Sequence, residues 1–237
     1  MPSHQGSIRN AVFTAVVAAI ACVATAAPVV PAGRSGPNAD PAAKLSTAES
    51  PALSAVERLA LANRLAAWGQ RNSDPVALIQ AAKIRKGIAG GGEKDAAAVE
   101  ALLARAEALA PGNPAIRGLV VDARAYRSRD LPLLSAGVAT LTKLVRSLSA
   151  DRADLTFRGE TAAVVYVHST EDVDLDLYVY DEYNNLICSD ESTGQEAQCR
   201  WRPRWTGSFL VDVRNKHDRE VEYVLAANDV RPGTPSP

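Results

Sequence analysis

The chain has 237 residues, with 26 Lys and Arg against 27 Asp and Glu, and it contains three cysteines. Residues 1–150 hold 17 basic and 10 acidic side chains, whereas residues 151–237 hold 9 and 17. The basic residues of the first half are scattered along predicted helices, so the sequence argues against nucleic acid as a partner. The length suffices for two small domains, each with its own core.

The first 27 residues have the pattern of a secretory signal. A start that carries Arg9 precedes an apolar, small-residue run at 11–27, which is shorter than the roughly 20 residues of a membrane-spanning helix. The mature protein is therefore predicted to be periplasmic or secreted. Two alternatives stay open: an uncleaved anchor, or a lipoprotein box at Ala19-Ile-Ala-Cys22 that lipidates Cys22.

Residues 28–51 are rich in Pro, Ala, Gly and Ser, which predicts a disordered linker, and the tail at 229–237 is predicted to be disordered as well. Residues 52–148 predict a helical domain, with Asp74 as an N-cap and Pro75 at the first helical position. The five predicted helices cover residues 53–71, 76–86, 95–109, 114–127 and about 131–148.

One stretch of this helical domain, residues 99–116, resembles the second helix and following turn of a tetratricopeptide-like repeat. The resemblance implies helical hairpins that bind protein on a concave face. The alternative is a small helical bundle that serves as a spacer or docking element.

A different periodicity occupies residues 152–228. Apolar residues alternate with polar or aromatic ones through 173–180, which is typical of a strand with one buried face. The same alternation recurs near 163–167, 209–213 and 221–225, with turn-rich sequence between these stretches. Six to eight strands are predicted, without intervening helices. The predicted fold is therefore α+β: helical hairpins or a bundle, then an antiparallel, jelly-roll-like β-sandwich.

Two cysteines remain if Cys22 leaves with the signal. In an exported protein Cys188 and Cys199 are predicted to form one disulfide across a loop of about a dozen residues. A zinc site needs more ligands, and neither His168 nor His217 lies at a ligand-pair spacing from a cysteine. Both histidines are predicted to lie on the surface.

The motifs from about Asp154 to Asn228 resemble, in their order, the bacterial pre-peptidase C-terminal domain. They are Leu155-Thr-Phe157, the 173–181 strand, Asn185-Leu186, the two cysteines, Trp205-Thr-Gly207, residues 211–215 and Tyr223-Val-Leu225. The resemblance implies a β-sandwich accessory domain of secreted proteins, some relatives of which bind calcium and polymer. The family's glycine after the long strand is replaced here by Tyr183-Asn-Asn185, where Asn tolerates a left-handed backbone. These 237 residues contain no recognisable peptidase motif, so any partner enzyme is expected to be a separate molecule.

Carboxylates cluster around the long strand and suggest a calcium site, because calcium prefers hard oxygen ligands. The candidate ligands are Asp172, Asp174, Asp176, Asp181 and Asp190. The alternative is a solvated acidic face that resists aggregation. A glycosidase would need two carboxylates in unequal environments, which an exposed strand does not supply.

A second candidate surface follows Cys199, where arginines alternate with aromatic residues. Arg200, Arg202, Arg204 and Trp205 are candidate contacts for a glycan or acidic polymer. In the alternative interpretation Trp201 and Trp205 lie in or beside the core and the arginines pair with the acidic strand.

No nucleophile, metal or phosphate-loop motif is present in the sequence. The sequence thus predicts an exported, non-catalytic binding or scaffold protein whose partner is a protein or an extracellular polymer. It requires no cofactor, with calcium as the open exception. The alternative is a secreted hydrolase of unfamiliar type, or a regulatory subunit of one.

Overall fold

The computed structural model describes residues 36–39, 54–88, 93–126, 138–171 and 173–228. Within these ranges four helices precede two four-stranded antiparallel sheets, which confirms the predicted α+β class. The predicted signal with Cys22, the C-terminal tail and Asp172 lie outside the described residues. Among the described helices, none has the length and apolar character needed to cross a membrane.

Side-chain caps set the start of three helices. Ser54 accepts a hydrogen bond from the Glu57 backbone N–H, and the Glu57 carboxylate accepts one from the Ser54 N–H, which together form a capping box. Asp74 caps the second helix with Pro75 at its first position, as predicted, and Asn113 caps the fourth. The helices are α1 Ala55–Arg71, α2 Pro75–Lys86, α3 Glu93–Leu109 and α4 Pro114–Ala125.

The strands form two sheets with the connectivity of a jelly roll. Sheet A has the order β1-β8-β3-β6 and sheet B the order β2-β7-β4-β5, and every neighbouring pair is antiparallel. The strands are β1 Val138–Val145, β2 Ser149–Phe157, β3 Ala163–Ser169, β4 Leu175–Asp181, β5 Leu186–Asp190, β6 Glu196–Trp201, β7 Gly207–Asn215 and β8 Val221–Asn228.

The predicted fifth helix is wrong over its described part. Residues 138–145 form β1, which pairs with β8 along its whole length, and β2 begins at Ser149. The apolar spacing of Leu141, Leu144 and Val145 also fits a helix, but the edge of β8 supplies backbone partners that only the folded chain presents. The sandwich therefore begins at Val138, before the predicted position 152.

The predicted alternation places one face of each inner strand in the sandwich core. Leu175, Leu177 and Val179 of β4 are at most 1% exposed. Trp201 of sheet A packs against Phe157 and Phe209 of sheet B, with ring centroids 4.8 and 5.2 Å away. The core between the sheets is thus the one that the period of two predicts.

The outer face of sheet A is also buried, because helix α1 covers it. Val56 and Leu59 of α1 pack on Val164 and Tyr166 of β3 and on Ala226 of β8. Four of these five side chains are at most 1% exposed, and Leu59 is 7% exposed. The helical segment and the sandwich therefore pack together. Helices α2, α3 and α4 share a separate apolar core.

The predicted disulfide between Cys188 and Cys199 is confirmed. Cys188 lies on β5 and Cys199 on β6, which are edge strands of sheets B and A. The bridge therefore joins the two sheets covalently along one open side of the sandwich.

A short part of the predicted disordered linker is ordered. Asn38 is fully buried and Ala39 is 7% exposed, with Ala39 in contact with the sandwich core. The prediction of disorder is wrong at residues 36–39. Asn38 forms hydrogen bonds with residues that are distant in sequence, and local composition does not reveal such contacts. The rest of the predicted linker lies outside the described residues.

Candidate functional site

A cleft of about 580 Å³ lies between helix α1 and the start of β6. Leu61, Leu65 and Trp68 of α1 recur at intervals of three or four residues, so they share one face of the helix. The remaining lining consists of Arg64, Ala67 and Arg71 from the helix, and Gly194, Gln195 and Glu196 from the sandwich.

Two large apolar side chains of the cleft are exposed to solvent. Trp68 is 47% exposed and Leu61 is 42% exposed, whereas the face of α1 that contacts the sheet is buried. A concave apolar strip with a few charged groups beside it is the usual composition of a binding site.

A second cavity of about 340 Å³ shares Ala67 and Gln195 with the cleft. Its lining is more polar. The side chains that give it this character are Asn63, Gln70, Arg85, His168 and Thr170.

A hydrogen-bonded network runs through the wall of these cavities. Asn63 donates its side-chain N–H to the Tyr166 hydroxyl at 2.9 Å and accepts a hydrogen bond from Arg85. The Tyr166 hydroxyl also hydrogen-bonds to Glu196, and Arg64 Nε lies 3.1 Å from Glu196 Oε2. The network connects α1 and α2 to β3 and β6, so it fixes the position of the helices on the sheet.

Burial shifts the pKa of Glu196, which belongs to the network, and of its neighbour His168. It raises the pKa of Glu196 above its ordinary value, although the hydrogen bond from Tyr166 and the charge of Arg64 act in the opposite direction. Burial and then the Arg85 charge lower the pKa of His168. Glu196 Oε1 lies 4.0 Å from His168 Nδ1. In both cases burial disfavours the charged form of the side chain.

The surface prediction for His168 is wrong, whereas that for His217 is confirmed. His168 points away from the sandwich core, as its parity indicates, but its side chain is only 24% exposed because the helices lie over sheet A. His217 is exposed in the turn before β8.

The arginines and tryptophans near Cys199 are placed in different environments. Arg200 Nη1 lies 3.0 Å from Glu57 Oε1 of α1, so Arg200 helps hold the helix on the sheet. Trp205 donates its indole N–H to Glu182 at 2.6 Å. Arg202 is half-buried and Arg204 is exposed.

The alternative interpretation of these residues is confirmed for Trp201, which is 4% exposed in the core. It is wrong for Arg200, whose partner lies on a helix. The cations beside the acidic strand β4 are instead Arg214 and Lys216, both contributed by β7 or the turn that follows it.

The alternative to the calcium site, a solvated acidic face, is wrong for Asp176. Its side chain is 1% exposed because Lys216 lies over it, with Nζ 2.5 Å from Asp176 Oδ2. Arg214, its register partner on β7, lies 3.9 Å from the centroid of the Tyr178 ring. The outer face of sheet B is therefore a layer of paired charges and aromatic rings.

The other described candidates for calcium accept backbone hydrogen bonds. Asp181 accepts from Tyr183 and Asn185 at 2.9 and 2.8 Å, which closes the β4–β5 turn. Asp190 accepts from Gln198 at 2.8 Å and Asp174 from Gly194 at 3.0 Å. In the described ranges, no group of three His, Cys, Asp or Glu side chains could hold a metal ion.

A titration can test whether these carboxylates bind calcium. Calcium would have to displace Lys216 from Asp176 and backbone N–H groups from Asp181 and Asp190. We therefore expect the Tm of the oxidised, chelator-treated chain to stay constant as calcium rises to millimolar concentration. A saturating rise that disappears in Asp174→Asn/Asp176→Asn would instead establish a calcium site through mass-action stabilisation.

Sequence reasoning missed the residues that build the cleft and its network. Trp68 lies inside the predicted helix 53–71 with no signal that marks it as a binding residue, and Asn63, Arg85 and Glu196 belong to no motif. One signal was present: Ala163–Val167 is a continuous apolar run. Such a run is typical of a strand buried on both faces, which implies that another element covers sheet A.

No protein-family model matches the chain, and no curated protein matches it. Several solved structures are similar to part of it. The pre-peptidase C-terminal domain of a Bacillus anthracis collagenase has 12% identity and a TM-score of 0.33, covering 38% of this chain and 87% of that domain.

Two further similarities are of the same degree. PliG of Aeromonas hydrophila, a periplasmic inhibitor of g-type lysozyme, has 14% identity and a TM-score of 0.32, covering 41% of this chain and 89% of the inhibitor. The Yersinia pseudotuberculosis-derived mitogen has 17% identity and a TM-score of 0.29, covering 43% of this chain and 99% of the mitogen. All three TM-scores are low.

Proposed function

We propose that this chain is an exported, non-catalytic binding protein that holds a segment of a protein partner in the cleft between α1 and the sandwich. The observation that carries the proposal is the exposed pair Leu61 and Trp68 in a concave surface, with Arg64 and Arg71 beside them. Tryptophan and arginine are the residues most enriched among the side chains that dominate binding energy. The partner segment is expected to present an apolar side chain next to acidic residues.

Export is supported by the signal-like start of the sequence and by the Cys188–Cys199 disulfide, since disulfides persist in oxidising compartments. The motif resemblance to pre-peptidase C-terminal domains supports an accessory role. The refined proposal is therefore a secreted or periplasmic accessory protein whose sandwich supports a partner-binding helix.

The alternative, an unfamiliar hydrolase, draws on Glu196 and His168, which lie 4.0 Å apart and whose pKa values are both shifted by burial. Against it, Arg64 and Tyr166 already hold the Glu196 carboxylate. We propose that this contact positions the helix on the sheet.

A peptide-display selection tests the proposal. Peptides selected on the oxidised chain are expected to carry an aromatic or aliphatic residue flanked by Asp or Glu. Their affinity should fall roughly 30-fold for Trp68→Ala, as expected when a central binding residue is truncated. For Arg71→Ala we expect a smaller loss that shrinks further as salt is added.

The matched control is Val121→Ala on α4, where the wild-type side chain is also exposed, at 60%. It should bind the selected peptides as the wild type does. Equal binding by Trp68→Ala would overturn the proposal. Recovery of cleaved peptide that depends on Glu196, tested with Glu196→Gln, would favour the hydrolase.

A further inference from the structure

A second binding arrangement lies at another part of the sandwich, where residues 36–39 contact it. The Asn38 side chain is fully buried there, although it is more than 140 residues away in sequence from the first of the groups that surround it. These groups form what we call the Asn38 socket: Asp181, Glu182, Trp205 and Gly207.

Both the NH2 group and the carbonyl oxygen of the Asn38 side-chain amide are hydrogen-bonded in the socket. Asn38 Nδ2 donates to the Trp205 carbonyl at 3.2 Å and to the Glu182 carboxylate oxygens at 3.2 and 3.4 Å. Asn38 Oδ1 accepts from the Trp205 backbone N–H at 3.1 Å. The Asn38 backbone N–H donates to Asp181 Oδ2 at 2.8 Å, so both the side chain and the main chain of the segment are recognised.

This pattern discriminates against the closest relatives of asparagine. An aspartate in the same place would bring a second carboxylate against Glu182 without the donor that Glu182 accepts from. An apolar side chain would remove the amide partner of the half-buried Trp205 backbone N–H and carbonyl, which lose two hydrogen bonds. The socket therefore selects an amide.

Other residues of the sandwich hold the groups of the socket in position. Asp181 is held by Tyr183 and Asn185, and Glu182 accepts the indole N–H of Trp205. Gly207 leaves the space that the amide fills, since a Cβ there would lie 2.7 Å from Asn38 Nδ2. A site whose groups are positioned by their own scaffold is preorganised for its ligand.

We propose that the Asn38 socket is a peptide-binding site specific for an asparagine side chain, and that residues 36–39 occupy it in cis. The attached segment competes with any free peptide at an effective concentration of millimolar order. An asparagine-bearing segment of another chain therefore binds only when residues 36–39 are displaced. This site is separate from the cleft at α1, and the inference does not depend on the function proposed for that cleft.

The test uses the full chain with the socket vacated by Asn38→Asp, and a fluorescein-labelled peptide with the sequence of residues 34–41. The control peptide carries Asp in place of Asn38. Fluorescence anisotropy should show that the Asn38→Asp chain binds the asparagine peptide roughly tenfold or more tightly than the control peptide. The wild-type chain should bind neither peptide at the same concentrations.

Two further variants keep the test decisive. Asn38→Ala vacates the socket without adding charge and should show the same preference. Adding Gly207→Ala to either variant should abolish peptide binding, because the new Cβ occupies the space of the amide. Binding of neither peptide by Asn38→Asp and Asn38→Ala, or equal binding of both, would overturn the inference.

Discussion

Replacing Trp201 by alanine is expected to destabilise the sandwich by about 3–5 kcal/mol, the range for removing a large aromatic side chain from a core. Trp201 is 4% exposed and is the sheet A member of an aromatic cluster whose other members, Phe157 and Phe209, belong to sheet B. The change removes buried apolar area and leaves a cavity between the two sheets. Urea denaturation followed by circular dichroism measures the free energy of unfolding.

Two comparisons identify the cause of this loss. Trp201→Phe keeps a ring in contact with both partners and removes an indole N–H that is buried without a hydrogen-bond partner among the described residues, so its cost should be clearly smaller. Leu186→Ala removes a side chain that is 53% exposed on β5 and should change stability by no more than about 0.5 kcal/mol. Similar losses for Trp201→Ala and Leu186→Ala would contradict the proposed role of the aromatic cluster.

Removing the disulfide is expected to cost about 2.5–3 kcal/mol, the chain-entropy value for a loop of this length. The bridge joins residues 11 apart in sequence and connects the edges of the two sheets. The variant Cys188→Ala/Cys199→Ala suits the measurement, because Cys199 is fully buried and alanine adds no polar group there. Its Tm should fall by roughly 5–12 °C if the helices and the sandwich unfold together.

The matched control for the disulfide is reductant. Adding it should lower the stability of the wild-type chain to about that of Cys188→Ala/Cys199→Ala, and should leave the double variant unchanged. If the double variant unfolds at the wild-type urea concentration, the bridge contributes nothing to stability and β5–β6 contacts alone hold that side of the sandwich.

The sequence predicted those elements whose signals are local. Asp74 and Pro75 begin α2 as expected, because an N-cap side chain and a fixed φ act within one turn of helix. Leu175, Leu177 and Val179 face the core because strand side chains alternate. The Cys188–Cys199 pairing followed from the count of cysteines in a chain that is predicted to be exported.

The errors arose where a distant part of the chain overrides the local pattern. Leu141 and Leu144 have helical spacing but lie in β1, whose hydrogen-bond partners on β8 begin more than 70 residues later. Asp176 belongs to the polar side of β4 but is covered by Lys216. Asn38 lies in a stretch of linker composition but is fully buried.

Taken by itself, the sequence determined the α+β order of the chain and the inner faces of the predicted strands, because periodicity and capping act over a few residues. It also determined the disulfide, because only two cysteines remain once the predicted signal is removed. The tertiary structure alone decided where β1 pairs, that α1 covers the outer face of sheet A, and that Asp181, Glu182 and Trp205 surround Asn38. The cleft at Trp68 and the Asn38 socket both belong to this second group. Each forms only when chain segments that are far apart in sequence cover one another's apolar surface and form hydrogen bonds with one another. No local pattern encodes these contacts.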